Sequence, residues 1–431
     1  MTNLWKEGRL KPSQKRVLLW AIVAFAVCMV MNGYHYSLEG AKGLYVWNRT
    51  GLFRMLILMG FIPASIALLS FPLEKLKSKV PSKLCRGLSL GLSFLVTIAS
   101  VGILVFLIAG PRFGKIEPAR LSLINPVDGI SPLQDVPAAF LSGNASNAQS
   151  PALSGNLDAD KVLLKLSFSS DPHWGTDDAD SNARLSVLAS VAEHRPDAFF
   201  MLGDTVETGS QAVQWDFALS DLEAVIPKVP LRPIMGNHDA LFGGQYLYKK
   251  AFFPSSFKTD SGSPYYYSIK ANAATIIVLD LPWGTEEFHR RQKSWLENVL
   301  KTSPAGKPII VLTHSFFYAS GYDDPEYHKP WYDHYQNIPA ISPLFEQYGV
   351  DLVVSGHNHY QEYLEHNGVK YAVIGAMGGK SDPEPAYVSP ASKWLAVGTF
   401  GRLDADITPT GIILSFRNET GALLHEERFS Y

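Results

Sequence analysis

Seven residues of this chain offer oxygen or imidazole nitrogen, and each stands just after a short run of β-forming residues. They are Asp171 and His173 in Asp171-Pro172-His173, Asp204 in Gly203-Asp204-Thr205-Val206-Glu207, Asn237 in Gly236-Asn237-His238-Asp239, His314, and the pair His357 and His359 in Gly356-His357-Asn358-His359. Carboxylate, imidazole and amide oxygen suit Mn, Fe, Zn or Co. The two cysteines, Cys28 and Cys85, lie far away in sequence, which argues against a closed structural zinc site. Each motif alone is weak, because a lone strand-end histidine is more often a hydrogen-bonded structural residue. Five motifs in order carry more weight: open α/β sheets place functional groups at the carboxyl ends of their strands, so these would converge on one crevice. The residue types suit two divalent or trivalent cations in a centre open to substrate.

The elements that must hold these residues are readable from periodicity. From Lys161 onward, short β-rich runs alternate with helical periods, the signature of a layered α/β domain. The runs are 162–169, 198–202, 231–235, 309–313 and 352–355, and each ends in a polar motif. Leu185, Leu188 and Val191 mark one amphipathic helix, and Trp295, Leu296, Val299 and Leu300 another. Runs 265–269 and 275–279 predict a hairpin, and 400–407, 412–416 and 423–429 predict closing strands. The segment after His314 is rich in aromatics, from Phe316-Phe317-Tyr318 through Trp331 and Tyr332, with no regular period until a short helix near Ile341. A loop of that length is often functional, which points to a role in substrate choice. Trp174 reads equally as packing or as a wall for substrate. His194, His289, His366 and His425 fall outside the motifs and read as ordinary surface or core residues.

The five blocks together resemble the calcineurin-like metallophosphoesterase superfamily, whose pattern is D-x-H, G-D-x-x-D, G-N-H-D/E, H and G-H-x-H. The resemblance covers roughly residues 161–431 and implies a four-layered αββα sandwich with two central mixed sheets. It also implies the ligand sets. One metal would take Asp171, His173, Asp204 and His359; the other would take Asp204, Asn237, His314 and His357, with Asp204 bridging. Two metals about 3.5–4 Å apart can hold a bridging hydroxide that attacks phosphorus in line. His238, beside a ligand in the family pattern, would protonate the leaving oxygen. Glu207 stands where relatives have the acid that orients this histidine, and Asp239 is a second candidate orienter. The blocks around His314 and His357 look like the purple acid phosphatase branch, whereas the first and third fit the cyclic-nucleotide phosphodiesterase branch better. The former has an iron-binding tyrosine at the position of Glu207 and usually a glycine at His173, so an iron–tyrosinate centre is not expected.

The remaining 160 residues divide into a membrane region, 1–115, and a linker, 116–160. Apolar stretches at about 17–33, 52–71 and 88–109 each approach the roughly 20 residues that cross a bilayer as a helix, predicting three transmembrane spans. Basic residues before the first span and between the second and third place those segments in the cytoplasm. The domain from Lys161 then lies on the non-cytoplasmic side of the plasma or inner membrane. The linker is rich in Pro, Ser, Ala, Gly and Asn, although 120–124 could add an edge strand. A formal net charge of −2 gives no nucleic-acid footprint, and spans nearly free of polar residues do not suit a transporter. The expected partners are a phosphate-ester substrate, soluble or lipid-linked, and the membrane. The competing class is a membrane sensor or scaffold whose domain binds metal without turnover.

Overall fold

The structure is a computed structural model that describes residues 114–126, 161–255, 257–283, 288–321, 323–324, 329–330, 333–375 and 377–431. It divides into two compact units. In the smaller, Met1–Gly114 with Leu241–Gly243, the described residues are Gly114 and a 3-10 turn at Leu241–Gly243. The three expected membrane spans lie outside the described residues, among which no helix is long and apolar enough to cross a membrane.

The larger unit, Lys115–Ala240 with Gly244–Tyr431, carries fifteen strands among its described residues. They are β1 (Leu164–Ser169), β2 (Ala198–Met201), β3 (Leu231–Pro233), β4 (Tyr267–Lys270), β5 (Thr275–Val278), β6 (Ile309–Leu312), β7 (Asp323–Asp324), β8 (Lys329–Pro330), β9 (Leu352–Ser355), β10 (Gln361–His366), β11 (Val369–Ile374), β12 (Ser392–Ala396), β13 (Gly401–Ile407), β14 (Ile412–Asn418) and β15 (Leu423–Phe429). One sheet runs β15-β14-β13-β1-β2-β3 and the other β12-β10-β11-β9-β6-β5-β4. Both are mixed: β1, β2 and β3 are parallel while β13 to β15 are antiparallel, and β5, β6, β9 and β11 are parallel with antiparallel neighbours.

Period-two alternation explains how the layers stack. In β6, Ile310 and Leu312 join a core shared with Leu166 and Phe168 of β1, whereas Val311 joins a second core with Leu296, Val299 and Leu300 of the helix Arg290–Thr302 and Ile341 and Phe345 of the helix Asp333–Tyr348. Strands buried on both faces read as continuous apolar runs, as in the Ile-Ile-Val-Leu of β6. On the opposite face of β1, Ser167 donates to Asp404, which also accepts from Arg402, and Arg402 reaches Ser190 of the helix Ser181–His194. The order is therefore helices, sheet, sheet, helices. Asp180 caps the helix Ser181–His194 by accepting from Asn182 N and Ala183 N, both at 3.0 Å. His289 caps Arg290–Thr302 through its Nδ1.

The hairpin and closing strands form as their periods predict. The segment 120–124 runs beside β3, with Leu231 N donating to Ser122 O and Ile124 N to Leu231 O. One helix departs from expectation by starting at Asp333, well before Ile341. No apolar stripe announces its first turns because a polar group holds them: the buried Asn337 amide donates to Ser315 Oγ and Phe316 O.

Candidate metal centre

The motif residues occupy the turns that follow β1, β2, β3, β6 and β9, and four of the seven sit in left-handed backbone. Asp171 (φ 59°), His173 (47°), Asp204 (49°) and His357 (71°) make up most of the described non-glycine residues with positive φ. Such conformations cost about 1–3 kcal/mol each and persist where the surroundings over-determine them, commonly at functional sites. Glycine makes room for these turns. A Cβ on Gly203 (φ +115°) would lie 2.4 Å from His314 Nδ1, and one on Gly356 would lie 2.1 Å from Ser170 Oγ.

Three sets of side chains each bring their ligand atoms within 4.8 Å of one another: Asp171, His173 and His359; His173, Asp204 and His238; and Asp204, His314 and His357. Asp204 belongs to two of them, and its carboxylate is divided in use. Oδ1 accepts the His238 backbone N–H at 2.7 Å, while Oδ2 lies 3.7 Å from His173 Nε2 and 3.4 Å from His314 Nε2. A single oxygen thus stands between two groups of histidines. Asn237 Oδ1 lies 2.9 Å from His314 Nε2, and Asp171 Oδ1 lies 3.4 Å from His359 Nε2 and 3.8 Å from His173 Nε2.

The histidines are oriented from behind. His314 Nδ1 donates to Leu202 O at 2.8 Å, His359 Nδ1 to Lys380 O, and His173 Nδ1 to Glu207 Oε2 at 2.8 Å. Fixing the proton on Nδ1 turns Nε2 into the site as a lone-pair donor, the usual arrangement behind a metal-bound imidazole. The His357 ring stacks on Phe316 at 5.7 Å and meets His314 edge-on at 5.0 Å.

Electrostatics matches a cation site. Burial alone would depress His173, but hydrogen bonds with Asp171 and Glu207 and the Asp204 charge outweigh it and raise it to about 10. His314 behaves alike, rising to about 9 against burial under the Asp204 and Asp171 charges. Burial would raise Asp171 and Asp204, yet the surrounding histidines hold both below the usual carboxylate range. The centre therefore concentrates negative charge that protons or metal ions compete to neutralise. Asp171 Oδ1 and His173 Nε2 are buried with no hydrogen-bond partner. Such atoms are costly to leave unmade, and a cation at this point satisfies both, so the residues present fit a metal.

His238 sits at the edge of the cluster with its side chain 29% exposed. Its Nδ1 donates to the backbone carbonyl of Glu207 at 2.7 Å, and the Glu207 carboxylate lies 3.5 Å away. The main bond of that carboxylate is to His173, so Glu207 serves a ligand and the candidate acid together. Asp239 does not orient His238, contrary to the expectation for it. Its oxygens accept from Gly236 N at 2.9 Å and Val206 N at 3.1 Å, tying the second and third motif turns together. Burial, then the charge of Asp204, pushes it up to about 7.

Other expectations resolve toward packing. Trp174 is buried, donates to Asp221 at 2.7 Å and lies under the Arg184 guanidinium, so it is not a substrate wall. Phe317 packs on Phe345 and Tyr371, and Tyr318 stacks on His366. Trp331, Tyr332 and His328 lie outside the described residues. His425 stacks on Trp394, and His194 approaches Asp404; with the capping His289, these histidines take no part in the centre.

Sequence reasoning missed the segment after β11. Met377 N donates to Ser170 O and Gly379 N to Asp171 O, each at 2.8 Å, and Asp382 accepts from His359 N at 2.8 Å. It also missed Arg184, which donates to Pro172 O at 2.9 Å, and Trp283, whose ring meets His357 at 6.2 Å. The only signal was the glycine pair Gly378-Gly379, and backbone donors leave no mark in side-chain chemistry.

The calcineurin-like phosphoesterase family matches residues 164–361. A purple acid phosphatase of Glycine max is 28% identical over 210 residues, covering 44% of this chain and 41% of that protein. Purple acid phosphatase 1 of Ipomoea batatas is 29% identical over 154 residues, or 33% of this chain and 30% of its own. The chain thus spans about two fifths or less of these relatives' length. A purple acid phosphatase structure from yellow lupin (Lupinus luteus) seeds superposes with a TM-score of 0.51 at 15% identity, covering 62% of this chain and 53% of that one. That likeness is one of fold.

Proposed function

We propose, from the match of residues 164–361 to the calcineurin-like phosphoesterase family, that the chain hydrolyses phosphate mono- or diesters with two metal ions. One ion is assigned to Asp171, His173, Asp204 and His359, and the other to Asp204, Asn237, His314 and His357. The observation that carries this reading is the single Asp204 Oδ2 between two histidine groups, beside the orphaned Asp171 Oδ1 and His173 Nε2. Two such cations supply Lewis acidity, lowering the pKa of water and neutralising charge that develops on phosphoryl oxygens. Mn, Fe, Zn and Co all suit the donor set.

The protein's own groups do the rest. Asp204 Oδ1 holds the His238 backbone while its other oxygen faces the ligand histidines, so the acid and the metal pocket are positioned by one carboxylate. With Nδ1 committed to Glu207 O, His238 presents Nε2 as the nitrogen that gives a proton to a departing alkoxide. Glu207 stands at the position of the purple branch's iron-binding tyrosine, so the loaded protein is expected to show no visible tyrosinate band.

Membrane anchoring through spans at about 17–33, 52–71 and 88–109, with the domain on the non-cytoplasmic side, belongs to the same proposal. The supporting features are the apolar lengths and the basic residues of the flanking loops. The test is turnover of an aryl phosphate monoester and diester by the purified full chain. Hydrolysis abolished by chelator and restored by Mn or Zn supports the enzyme. Metal bound at both sites without turnover favours the silent sensor or scaffold.

A further inference from the structure

Trp283 lies in the loop that follows β5, the strand beside β6, whose following turn carries His314. The turn is pinned there: Ser315 N donates to Leu281 O at 3.0 Å, and Leu281 and Pro282 are buried. Trp283 itself is partly exposed, and its indole meets the His357 ring at 6.2 Å and 71°. His357 in turn is stacked on the fully buried Phe316. The result is a series of aromatic contacts that begins in the core with Phe316 stacked on His357, a residue assigned to metal, and ends edge-on at the Trp283 indole.

Trp283 is mostly packed but not fully covered, and the part of its rigid indole left at the surface can contact a ligand. We propose that Trp283 is a specificity-determining residue that favours phosphate esters whose alcohol carries a planar ring, such as nucleosides and aryl alcohols. The proposal rests on the phosphoesterase reading above, which supplies the phosphate anchor beside His357. Base–aromatic stacking is sequence-tolerant because every base has a π-face, so Trp283 selects a ring over no ring rather than one base over another. Trp174, the tryptophan that follows the first motif, is unsuited to this role because it is buried.

The test is calorimetric titration of the metal-loaded full chain with the 5′-phosphonate analogues of adenosine 5′-monophosphate and ribose 5-phosphate. In both, a methylene replaces the ester oxygen so that neither is hydrolysed; they share the phosphonate and sugar and differ by the base. The wild type is expected to bind the nucleotide analogue about tenfold more tightly, within the range that single-base stacking supplies. In Trp283→Ala this ratio collapses toward one, and in Trp283→Phe much of it returns. Metal content is measured in parallel, because lost metal weakens both ligands alike and leaves their ratio intact. Equal binding of the two by the wild type, or a ratio unchanged in Trp283→Ala, overturns the proposal. The ratio is read from binding, so a chain that binds with this preference and does not hydrolyse aryl phosphates would overturn the hydrolase reading and leave the stacking assignment standing.

Discussion

At the scale of single residues, Asp204 and His238 have different parts although they share a hydrogen bond. Asp204 faces both histidine groups through one oxygen, so Asp204→Asn is expected to reduce occupancy at both metal positions. Elemental analysis of the purified variant reads this directly, and two tightly bound metals per chain would remove Asp204 from the bridging role. His238 is partly exposed at the edge and keeps its side chain on Glu207 O. His238→Ala is therefore expected to retain metal while slowing alkyl phosphates by about 10²–10⁴-fold, the usual share of general acid catalysis. Activated aryl esters need little proton donation and should lose much less. Equal losses on both substrate types would argue against the acid assignment. The candidate ligands and His238 could be picked out of the sequence because metal chemistry demands particular side chains in a particular order, and the structure brings them together. Asp239 was misjudged because a motif records that a carboxylate is present but not which amides it accepts from.

At the scale of elements, the site is a meeting of strand ends, and the turns are tighter than ordinary residues allow. Gly203→Ala adds a methyl within 2.4 Å of His314 Nδ1 at a φ of +115°. Gly306→Ala makes the useful contrast, because that glycine also has positive φ (+74°) but nothing within 4 Å of the added carbon. Left-handed backbone alone costs a residue with Cβ about 1–2 kcal/mol, so Gly306→Ala should lower stability by that amount and keep its metal. Gly203→Ala should cost more and lose metal, as shown by denaturant melts with metal analysis; equal effects of the two would show that the approach to His314 does not matter. The strands that end in motifs and the closing strands were readable because their burial on both or alternate faces writes itself into apolar runs. Strands β10, β11 and β12 were not predicted, the charged and polar residues of Gln361–His366 and Ser392–Ala396 breaking up any apolar run. The early turns of the helix Asp333–Tyr348 were not, since Asn337 anchors them through polar bonds. The loop Met377–Asp382 was hidden for a related reason: it braces Asp171 and His359 chiefly through backbone groups, which any sequence supplies.

At the scale of the whole molecule, the layered sheets and the apolar N-terminal quarter carry separate predictions. A reporter active only outside the cytoplasm should work when fused after Gly110 and fail after Leu76; the reverse would place the domain from Lys161 inside. Metal should also stabilise the folded domain, because a ligand that binds only the native state adds RT ln(1 + [L]/Kd), about 2.7 kcal/mol at a hundredfold excess over Kd. Chelation is then expected to lower Tm by about 5–10 °C in a domain of this size. Hydrolysis of phosphate esters by two cations bound between strand ends is tested by titrating the metal-free full chain with Mn or Zn while following occupancy and aryl phosphate turnover together. Turnover that appears only as the second equivalent binds, and disappears with chelator, is the predicted result. Full activity in the metal-free chain, or two bound equivalents with no hydrolysis of either monoester or diester, would contradict it.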